Sequence, residues 1–388
     1  MFHRARIVLF LLVMMFGLSI LTLLFSHVDL SQNLMFYKNG GIQPYLLHDL
    51  ERNLTVSTPI DAFRPAFSVD GRVAYRTKDD PIGGLYIWDY RLGREAFHHI
   101  MRGKITTPIS WSPDGRLLAT RASQDNSISL EIWDGENVFA ISPSEIPAGS
   151  DIWDVQWNQN NQIAFVLGIP VGSNVHTRNV LYVWDGNRTI NLSQSVDGDD
   201  YGPVWSLDGQ LAFLSRTNVG YDILIWDGRF HPDNLSHVVP YLDTFISHAS
   251  LPKWTPERDV LFLANNPPDS HFQMYKWNGH ETVLVTQDVY ESNGAIAIHA
   301  HGWWASLVGG SQNREVVVRD PENRVLLRTP GDYGPVWSPN VDLFFCNFVR
   351  PKWVLLRWDG NKLHEMDTGY QFDVYFQNGA RLDCPYTG

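Results

Sequence analysis

The sequence predicts an all-β protein, a β-propeller, in which four-stranded antiparallel blades are arranged in a ring. Three observations predict this fold: a seven-residue word that occurs twice, a longer repeat that contains it, and turn residues at fixed places in each repeat. The word DYGPVWS occupies residues 200–206 and again residues 332–338. A word that contains Trp, Tyr and Pro very rarely recurs by chance in a chain of 388 residues, so its recurrence indicates an internal repeat.

The repeat is marked by a dipeptide that is TrpAsp or a variant of it. The dipeptide begins at positions 48, 88, 133, 184, 226, 277, 319 and 358, so the copies follow one another about every 44 residues. Repeats of this length that read as strands are typical of propellers, in which each blade packs against its neighbours. We expect eight blades. Seven is the alternative, because Arg381–Cys384 could compete for the second strand of the last blade.

Each copy has the same order of elements. An aromatic first strand such as 203–206 meets a turn, as in 112–115, and an alternating apolar run such as 210–215 follows. After a polar loop comes a third run that ends at the dipeptide, as in 221–226, and then a short fourth strand. Pro presets φ for a turn, Asp hydrogen-bonds to nearby backbone and Gly takes positive φ, so the turns and the alternation both predict antiparallel strands.

The two ends of the chain are predicted to complete one blade together. The dipeptide at position 48 has no first strand before it, and the last first strand, around 374–376, has no dipeptide after it. We therefore expect the segment from 34–38 onward to supply the outer strands and 372–376 to supply the innermost strand. The propeller then spans residues 31–388.

The first 30 residues are predicted to hold a transmembrane helix. Arg4 and Arg6 precede an uncharged apolar run at 7–25, which as a helix is roughly 28 Å long, close to the thickness of a bilayer's hydrocarbon core. The run leads into Ser26 without an Ala-x-Ala cleavage pattern, so we expect an uncleaved signal-anchor. Because the positive flank stays in the cytoplasm, the prediction is a single-pass membrane protein with an extracytoplasmic propeller.

Composition and the absence of common motifs argue against nucleic-acid binding and against the commonest kinds of catalysis. The net charge of −12 gives no support to nucleic-acid binding. Cys346 and Cys384 occupy equivalent positions in consecutive copies, which usually lie too far apart for a disulfide, so we expect two free or buried thiols. There is no GlyXaaSerXaaGly elbow, phosphate-binding glycine loop, HisGluXaaXaaHis or CysXaaXaaCys motif. The sequence therefore predicts no cofactor and no catalysis.

The connections between blades are predicted to form an acidic and aromatic rim around the channel mouth. The candidate binding residues there are Asp199, Asp200, Tyr201, Tyr290, Asp332 and Tyr333. Tyrosines beside charges on rigidly held loops suit recognition of a protein partner, and the carboxylates could alternatively hold Ca²⁺. A third interpretation is that they pair with basic residues of the neighbouring loops, which include Arg178, Arg216, Arg314 and Arg350.

Two recurring or unusual features have competing interpretations. His299 and His301 have a spacing that suits metal ligands, but they stand where other copies have SerProAspGly, so a divergent turn is the alternative. The Trp residues of the dipeptide recur in most copies, and we expect them to pack between blades.

The repeat resembles that of the TolB-like propellers of bacterial envelope proteins. The resemblance is clearest at 107–142, 201–236 and 333–367, where a ProXaaTrpSer stretch, a turn, apolar runs and AsnLeuSer-type strands follow in order. It implies a propeller fold of the kind found in envelope proteins, and the repeat is shared by propellers that bind partners and propellers associated with peptidases. We therefore expect a non-catalytic scaffold that binds a protein or another ligand. The alternative is a propeller hydrolase or lyase with a metal-assisted site at the channel mouth.

Overall fold

The described part of the chain consists of β-strands and the turns that join them. The computed structural model describes residues 34–39, 46–49, 54–57, 62–68, 70–77, 84–89, 98–102, 104–122, 128–141, 146–171, 177–193, 199–217, 220–228, 235–238, 252–265, 272–289, 296–299, 301–310, 313–338, 342–376 and 381–384. The predicted anchor at 7–25 and the candidate Tyr290 lie outside these residues. No helix among the described residues combines the length and hydrophobicity needed to cross a bilayer.

The described residues of the first half of the chain form three N-terminal strands and four separate blades. The N-terminal strands are β1 (Leu34–Asn39), β2 (Leu46–Asp49) and β3 (Leu54–Ser57). Blade 1 contains β4 (Ala62–Phe67), β5 (Arg72–Thr77), β6 (Gly84–Asp89) and β7 (His98–Arg102), and blade 2 contains β8 (Lys104–Trp111), β9 (Leu117–Ala122), β10 (Ile128–Trp133) and β11 (Val138–Ala140). Blade 3 contains β12 (Asp151–Trp157), β13 (Ile163–Pro170), β14 (Thr177–Trp184) and β15 (Thr189–Asn191), and blade 4 contains β16 (Asp200–Trp205), β17 (Leu211–Thr217), β18 (Gly220–Trp226) and β19 (Leu235–Val238).

The second half forms a double sheet, a fifth blade and a closing blade. The first half of the double sheet is β20 (Lys253–Trp254), β21 (Val260–Asn265), β22 (Phe272–Trp277) and β23 (Thr282–Val289). Its second half is β24 (Ile296–Ile298), β25 (Trp304–Val308), β26 (Glu315–Arg319) and β27 (Val325–Pro330). Blade 5 is β28 (Tyr333–Trp337), β29 (Leu343–Val349), β30 (Lys352–Trp358) and β31 (Leu363–Gly369), and the last strands are β32 (Phe372–Phe376) and β33 (Arg381–Cys384).

These strands build a β-propeller of antiparallel blades. Strands follow in chain order within each of blades 1 to 5, and the closing blade has the order β3-β2-β1-β32-β33. The inner-edge strand of each unit contacts the inner-edge strand of the next unit, in the order β4, β8, β12, β16, β20, β24, β28 and β33. The closing blade contacts blade 1 through β32 and β4. The described strands thus close a ring.

The core is divided into separate apolar layers between neighbouring blades. Between blades 3 and 4, for example, Val166 and Leu181 pack against Phe213 and Trp226. The predicted inter-blade role of the recurring Trp residues is confirmed for four members that are buried in these layers: Trp184, Trp226, Trp277 and Trp358. Each blade therefore depends on its neighbours for burial of its apolar faces.

Four tryptophans of the first strands each donate a hydrogen bond to the preceding unit of the ring. The indole Nε1–H of Trp111 donates to Ala66 O at 2.9 Å, and that of Trp205 donates to Gln156 O at 3.1 Å. Trp254 and Trp337 make the same bond, to Val204 O at 2.9 Å and to Ala297 O at 3.0 Å. Large rings bury apolar area while the polar N–H finds a fixed partner, so the aromatic first strand of the repeat is a packing device.

The closing blade corrects two expectations. β32 pairs with β1 on one side and with β33 on the other, so β33 forms the inner edge of the blade. Residues 372–376 are therefore not the innermost strand. Residues 381–384 do not compete for the place of another strand, because they add a fifth strand to this blade. Because β33 lies beside β28 and β29, Cys384 reaches Cys346, and the two form a disulfide with Cα atoms 6.5 Å apart. The prediction of two unpaired thiols was wrong. It assumed that the two cysteines lie on equivalent strands of neighbouring blades, whereas Cys384 lies on the additional strand β33 beside β29.

Candidate functional site

Both copies of the repeated word DYGPVWS form a bulge in an inner strand. In β16 the pairing register shifts between Tyr201 and Val204, and in β28 it shifts between Tyr333 and Val336. The bulge accommodates Pro, which has no N–H to donate to the ladder. The preceding glycines take positive φ, 54° at Gly202 and 98° at Gly334, a region that other L-residues rarely adopt.

The bulge is common to several first strands. Register shifts at the corresponding place occur in β4, β8 and β12 as well. The recurrence of the word therefore reflects the geometry of the inner strands, and the two copies differ in what surrounds their carboxylates.

Asp200 is a buried carboxylate between blades 3 and 4. It is 3% exposed, and the hydroxyls of Ser193 and Ser215 hydrogen-bond to it. Loss of solvent raises the pKa of Asp200, the two serine hydrogen bonds oppose that shift, and neighbouring Asp199 adds to it. Asp200 is thus enclosed by the interface between blades 3 and 4.

Asp199 is held by the backbone and by an arginine. Its Oδ1 accepts the backbone N–H of Asn179 at 2.7 Å, and its Oδ2 lies 3.6 Å from Nη1 of Arg216. The side chain of Arg216 is 60% exposed, so this ion pair contributes little stability. The pairing of rim carboxylates with neighbouring basic loops therefore applies to Asp199.

Asp332 has a different set of contacts from Asp200, although it occupies the same place in the word. Its Oδ2 accepts the backbone N–H of Phe348 at 2.8 Å. The guanidinium of Arg314 donates from Nη1 to the carbonyl oxygen of Asp332 at 3.3 Å. Asp332 is half-buried and joins the connection between the double sheet and blade 5 to the end of β29.

Two tyrosines of the predicted binding site, Tyr201 and Tyr333, pack against apolar layers. Tyr201 lies on the layer between blade 4 and the double sheet. Tyr333 lies on the layer between blade 5 and the closing blade, where its ring meets Trp353 edge-on at 5.5 Å. Both keep part of their surface exposed.

An open cleft lies where the second half of the double sheet meets blade 5. Its volume is about 880 Å³, and it is lined by Asn313, Arg314, Glu315, Pro330, Asp332, Asn347, Phe348 and Arg350. Of the predicted site residues, the structure brings Asp332 to this cleft. Asp199 and Asp200 lie between blades 3 and 4, and Tyr201 lies between blade 4 and the double sheet. Asn347 and Phe348 were not identified as site residues from the sequence. Both belong to the apolar strand β29, and no sequence motif distinguishes them from other strand residues.

His299 and His301 form a turn that matches the SerXaaAspGly turns of other blades. His299 N donates to Trp303 O at 2.8 Å and Gly302 N donates to His299 O at 2.9 Å, as Ser68 and Gly71 do in blade 1. Nδ1 of His299 accepts the backbone N–H of His301 at 3.1 Å. Burial, with the nearby His301, lowers the pKa of His299 to about 4.

Metal binding finds little geometric support in the described part of the chain. No group of three or more His, Cys, Asp or Glu residues there is arranged to hold a metal ion. One ring nitrogen of His299 is already used within the turn. The divergent-turn interpretation therefore accounts for the geometry of this pair.

Comparisons with known proteins identify the fold. No family model and no curated protein matches the chain. Dipeptidyl peptidase 4 of Porphyromonas gingivalis is 14% identical over 93% of this chain and 59% of its own, with a TM-score of 0.57. A eukaryotic initiation factor is 13% identical over 92% and 97%, with a TM-score of 0.55, and the dihydro-heme d1 dehydrogenase NirN, in complex with DHE, is 16% identical over 92% and 75%, with a TM-score of 0.53. At such identities the likeness shows a shared β-propeller fold alone.

Proposed function

We propose that the protein is a TolB-like envelope propeller that is anchored in the membrane and binds a protein partner without catalysis. The observation that carries this proposal is the cleft between the double sheet and blade 5. Its volume is about 880 Å³, and its lining combines charged, amide and aromatic side chains. Its walls are held by hydrogen bonds from Arg314 and to Asp332, so the site is formed before a partner arrives.

The chemistry of the cleft favours an acidic partner segment. Arg350 is exposed and makes no ion pair with any described residue, whereas the carboxylate of Glu315 already pairs with Arg328 at 2.7 Å. Phe348, whose ring lies 4.9 Å from that of Trp353, supplies a rigid apolar wall. Arginine beside an aromatic side chain is a common composition at the centre of protein interfaces.

An extracytoplasmic position is supported by two features. The apolar run at 7–25 follows two arginines, which favours a helix with the propeller outside the cytoplasm. The Cys346–Cys384 disulfide is of the kind that persists in oxidising compartments.

We also propose that the ring has eight blades. The halves of the double sheet are each a four-stranded meander, and they are joined by one residue pair, Val289 and Val308. Leu261 and Trp304 pack between the halves as an inter-blade layer. Counting the halves as two blades beside the six separate ones gives the number that the repeat predicts.

Site-specific photo-cross-linking tests the proposed binding site. A photoreactive phenylalanine analogue replaces Asn347, which lines the cleft, in the full chain expressed in membranes of its own host. The matched control carries the analogue at Arg188, whose side chain is 67% exposed on blade 3. We expect a discrete adduct from position 347 and none from position 188.

Equal adducts from both positions, or none from either, would argue against the cleft. An adduct at position 347 should also disappear in excess of a soluble fragment of the partner that it identifies. Turnover of that partner by the purified chain would support the alternative, a propeller hydrolase or lyase.

A further inference from the structure

The two faces of the ring carry different connections. Because neighbouring strands of a blade are antiparallel, the turn from the first to the second strand and the turn from the third to the fourth strand lie at the same end of the blade. In blade 3 these turns are 158–162 and 185–188. We call the face of the ring that holds them the turn face. Second strands and fourth strands therefore end at the opposite face.

The chain enters the ring at the turn face. The fourth strand β31 ends at the opposite face at Gly369, and β32 begins shortly after it at Phe372, so β32 runs toward the turn face. β1 is antiparallel to β32, with Met35 opposite Phe376 and Asn39 opposite Phe372. β1 therefore begins at the turn face and runs away from it.

The predicted anchor ends a short distance before β1. The apolar run stops at residue 25 and β1 begins at Leu34, so residues 26–33 are the whole connection. Even fully extended, these eight residues span no more than about 29 Å. In a chain held in the bilayer by 7–25, the part of the turn face beside β1 therefore lies toward the lipid.

Exposed apolar side chains are concentrated at the turn face. Leu207, which is 69% exposed, lies in the turn between β16 and β17. The fourth strands β11, β23, β27 and β31 carry exposed apolar residues within their first three positions, which are the positions next to the turn face. At the opposite face the large apolar residues that are described and exposed are Val171, Val349 and Tyr370.

Three of these fourth strands lie on consecutive units. β23, β27 and β31 belong to the two halves of the double sheet and to blade 5, and blade 5 adjoins the closing blade. Their exposed apolar residues, which we call the apolar arc, are 37–47% exposed and consist of Val283, Leu284, Val325, Leu326 and Leu363. Single exposed apolar residues are ordinary, whereas grouped ones mark an interaction surface. The apolar arc lies beside the blade through which the chain enters the ring.

Two carboxylates beside the apolar arc are already paired within the protein. Oδ1 of Asp359 accepts the backbone N–H groups of Asn361 and Lys362 at 2.9 and 2.7 Å. Oδ2 of Asp320 lies 2.6 Å from Nε of Arg324. The side chain of Arg324 is 73% exposed, and Lys362 is exposed too. Apolar side chains flanked by exposed cations suit the boundary between lipid headgroups and acyl chains.

We propose that the apolar arc rests on the lipid surface of the membrane that holds the anchor. Its apolar side chains enter the headgroup region, and the cations beside it meet lipid phosphates. This surface rests on the anchor of the proposed function and adds the orientation of the ring to it. The cleft is lined by residues of the opposite face, such as Asn313 and Arg350, so it opens away from the bilayer, toward a partner.

Fluorescence quenching from the lipid tests this orientation. The native cysteines are joined in a buried disulfide, so a maleimide fluorophore labels only an introduced cysteine. The full chain with Leu363→Cys is reconstituted into phosphatidylcholine vesicles that contain a nitroxide-labelled lipid. The matched control is Val349→Cys, at a position 56% exposed on the same blade but at the opposite face. We expect the nitroxide lipid to remove most of the fluorescence at position 363 and little of that at position 349.

Flotation of the same vesicles separates two kinds of failure. A chain that floats with the vesicles after an alkaline wash is anchored in them. If that chain shows equal quenching at both positions, or stronger quenching at position 349, the lipid contact of the apolar arc is overturned and the anchor stands. A chain that does not float contradicts the anchor itself, and the orientation falls with it.

A charge substitution tests whether the apolar side chains hold the contact. Leu326→Asp, added to the chain with Leu363→Cys, places a carboxylate in the apolar arc. Val171→Asp makes the same kind of change at a position that is 52% exposed at the opposite face. We expect Leu326→Asp to lower the quenching at position 363, because a carboxylate resists transfer out of water, and Val171→Asp to leave it unchanged. Undiminished quenching with Leu326→Asp would contradict the proposal.

Discussion

Cys346 of β29 and Cys384 of β33 are joined by a disulfide across the boundary between blade 5 and the closing blade, with Cα atoms 6.5 Å apart. Both residues are fully buried in the apolar layer between these two blades. The closing blade also contains β1, which pairs with β32. The disulfide therefore fastens the last strand at the place where the ends of the chain meet.

Removing this disulfide should destabilise the ring at its closure. The two cysteines are 38 residues apart, and opening a loop of that length costs about 2–4 kcal/mol of unfolding free energy. We expect that loss for Cys346→Ala with Cys384→Ala, measured by denaturant unfolding. A dithiol reductant should weaken the wild-type chain and leave the double variant unchanged. Equal midpoints for the two chains without reductant would show that the bond does not form.

The indole hydrogen bonds between blades give a matched pair of variants. Trp205 and Trp157 are both half-buried and each meets a second Trp, at 6.0 Å and 6.5 Å. Nε1 of Trp205 donates to Gln156 O, whereas Nε1 of Trp157 is buried without a partner among the described atoms. We expect Trp205→Phe to cost about 1 kcal/mol more than Trp157→Phe, measured by urea unfolding. The reverse order would contradict the proposed role of these bonds.

Asp200 should make stability depend on pH in the direction opposite to that of most carboxylates. Its pKa is raised in the folded chain, chiefly by burial, so its contribution is fully present below the unfolded value of about 3.9 and is lost as pH rises through the folded value. Asp200→Asn keeps an acceptor for Ser193 and Ser215 and removes this titration. The stability of wild type relative to the variant should therefore fall as pH rises from about 4, measured by urea midpoints. A rise with pH would mean that Asp200 is stabilised as the carboxylate.

The predicted anchor can be tested by its topology. A reporter that is active only outside the cytoplasm, fused after Gly388, should be active and remain in the membrane fraction. Moving positive charge to the far side of the run at 7–25 should reduce that activity, because flanking arginines set orientation. A soluble, secreted reporter would mean that the segment is cleaved.

Sequence patterns predicted much of the blade architecture because blades are local. Turn residues and alternating runs sit within one repeat, as in the turn at 112–115 that joins β8 to β9. The closing blade was harder, since the place of β33 depends on strands from both ends of the chain. The candidate site was predicted only in part. Asp200 and Asp332 share a word, and their different contacts come from Ser193 and Phe348, which no repeat pattern identifies.

The measurement that tests the central claim most directly is partner capture by charge-reversed chains. Arg350→Glu places a negative charge in the cleft, and Arg188→Glu makes the same change on blade 3. With the photo-cross-linker at position 347, the account predicts that Arg350→Glu lowers adduct formation by about tenfold or more, as loss of a central interface arginine does, and that Arg188→Glu leaves it unchanged. Undiminished capture by Arg350→Glu would contradict the account.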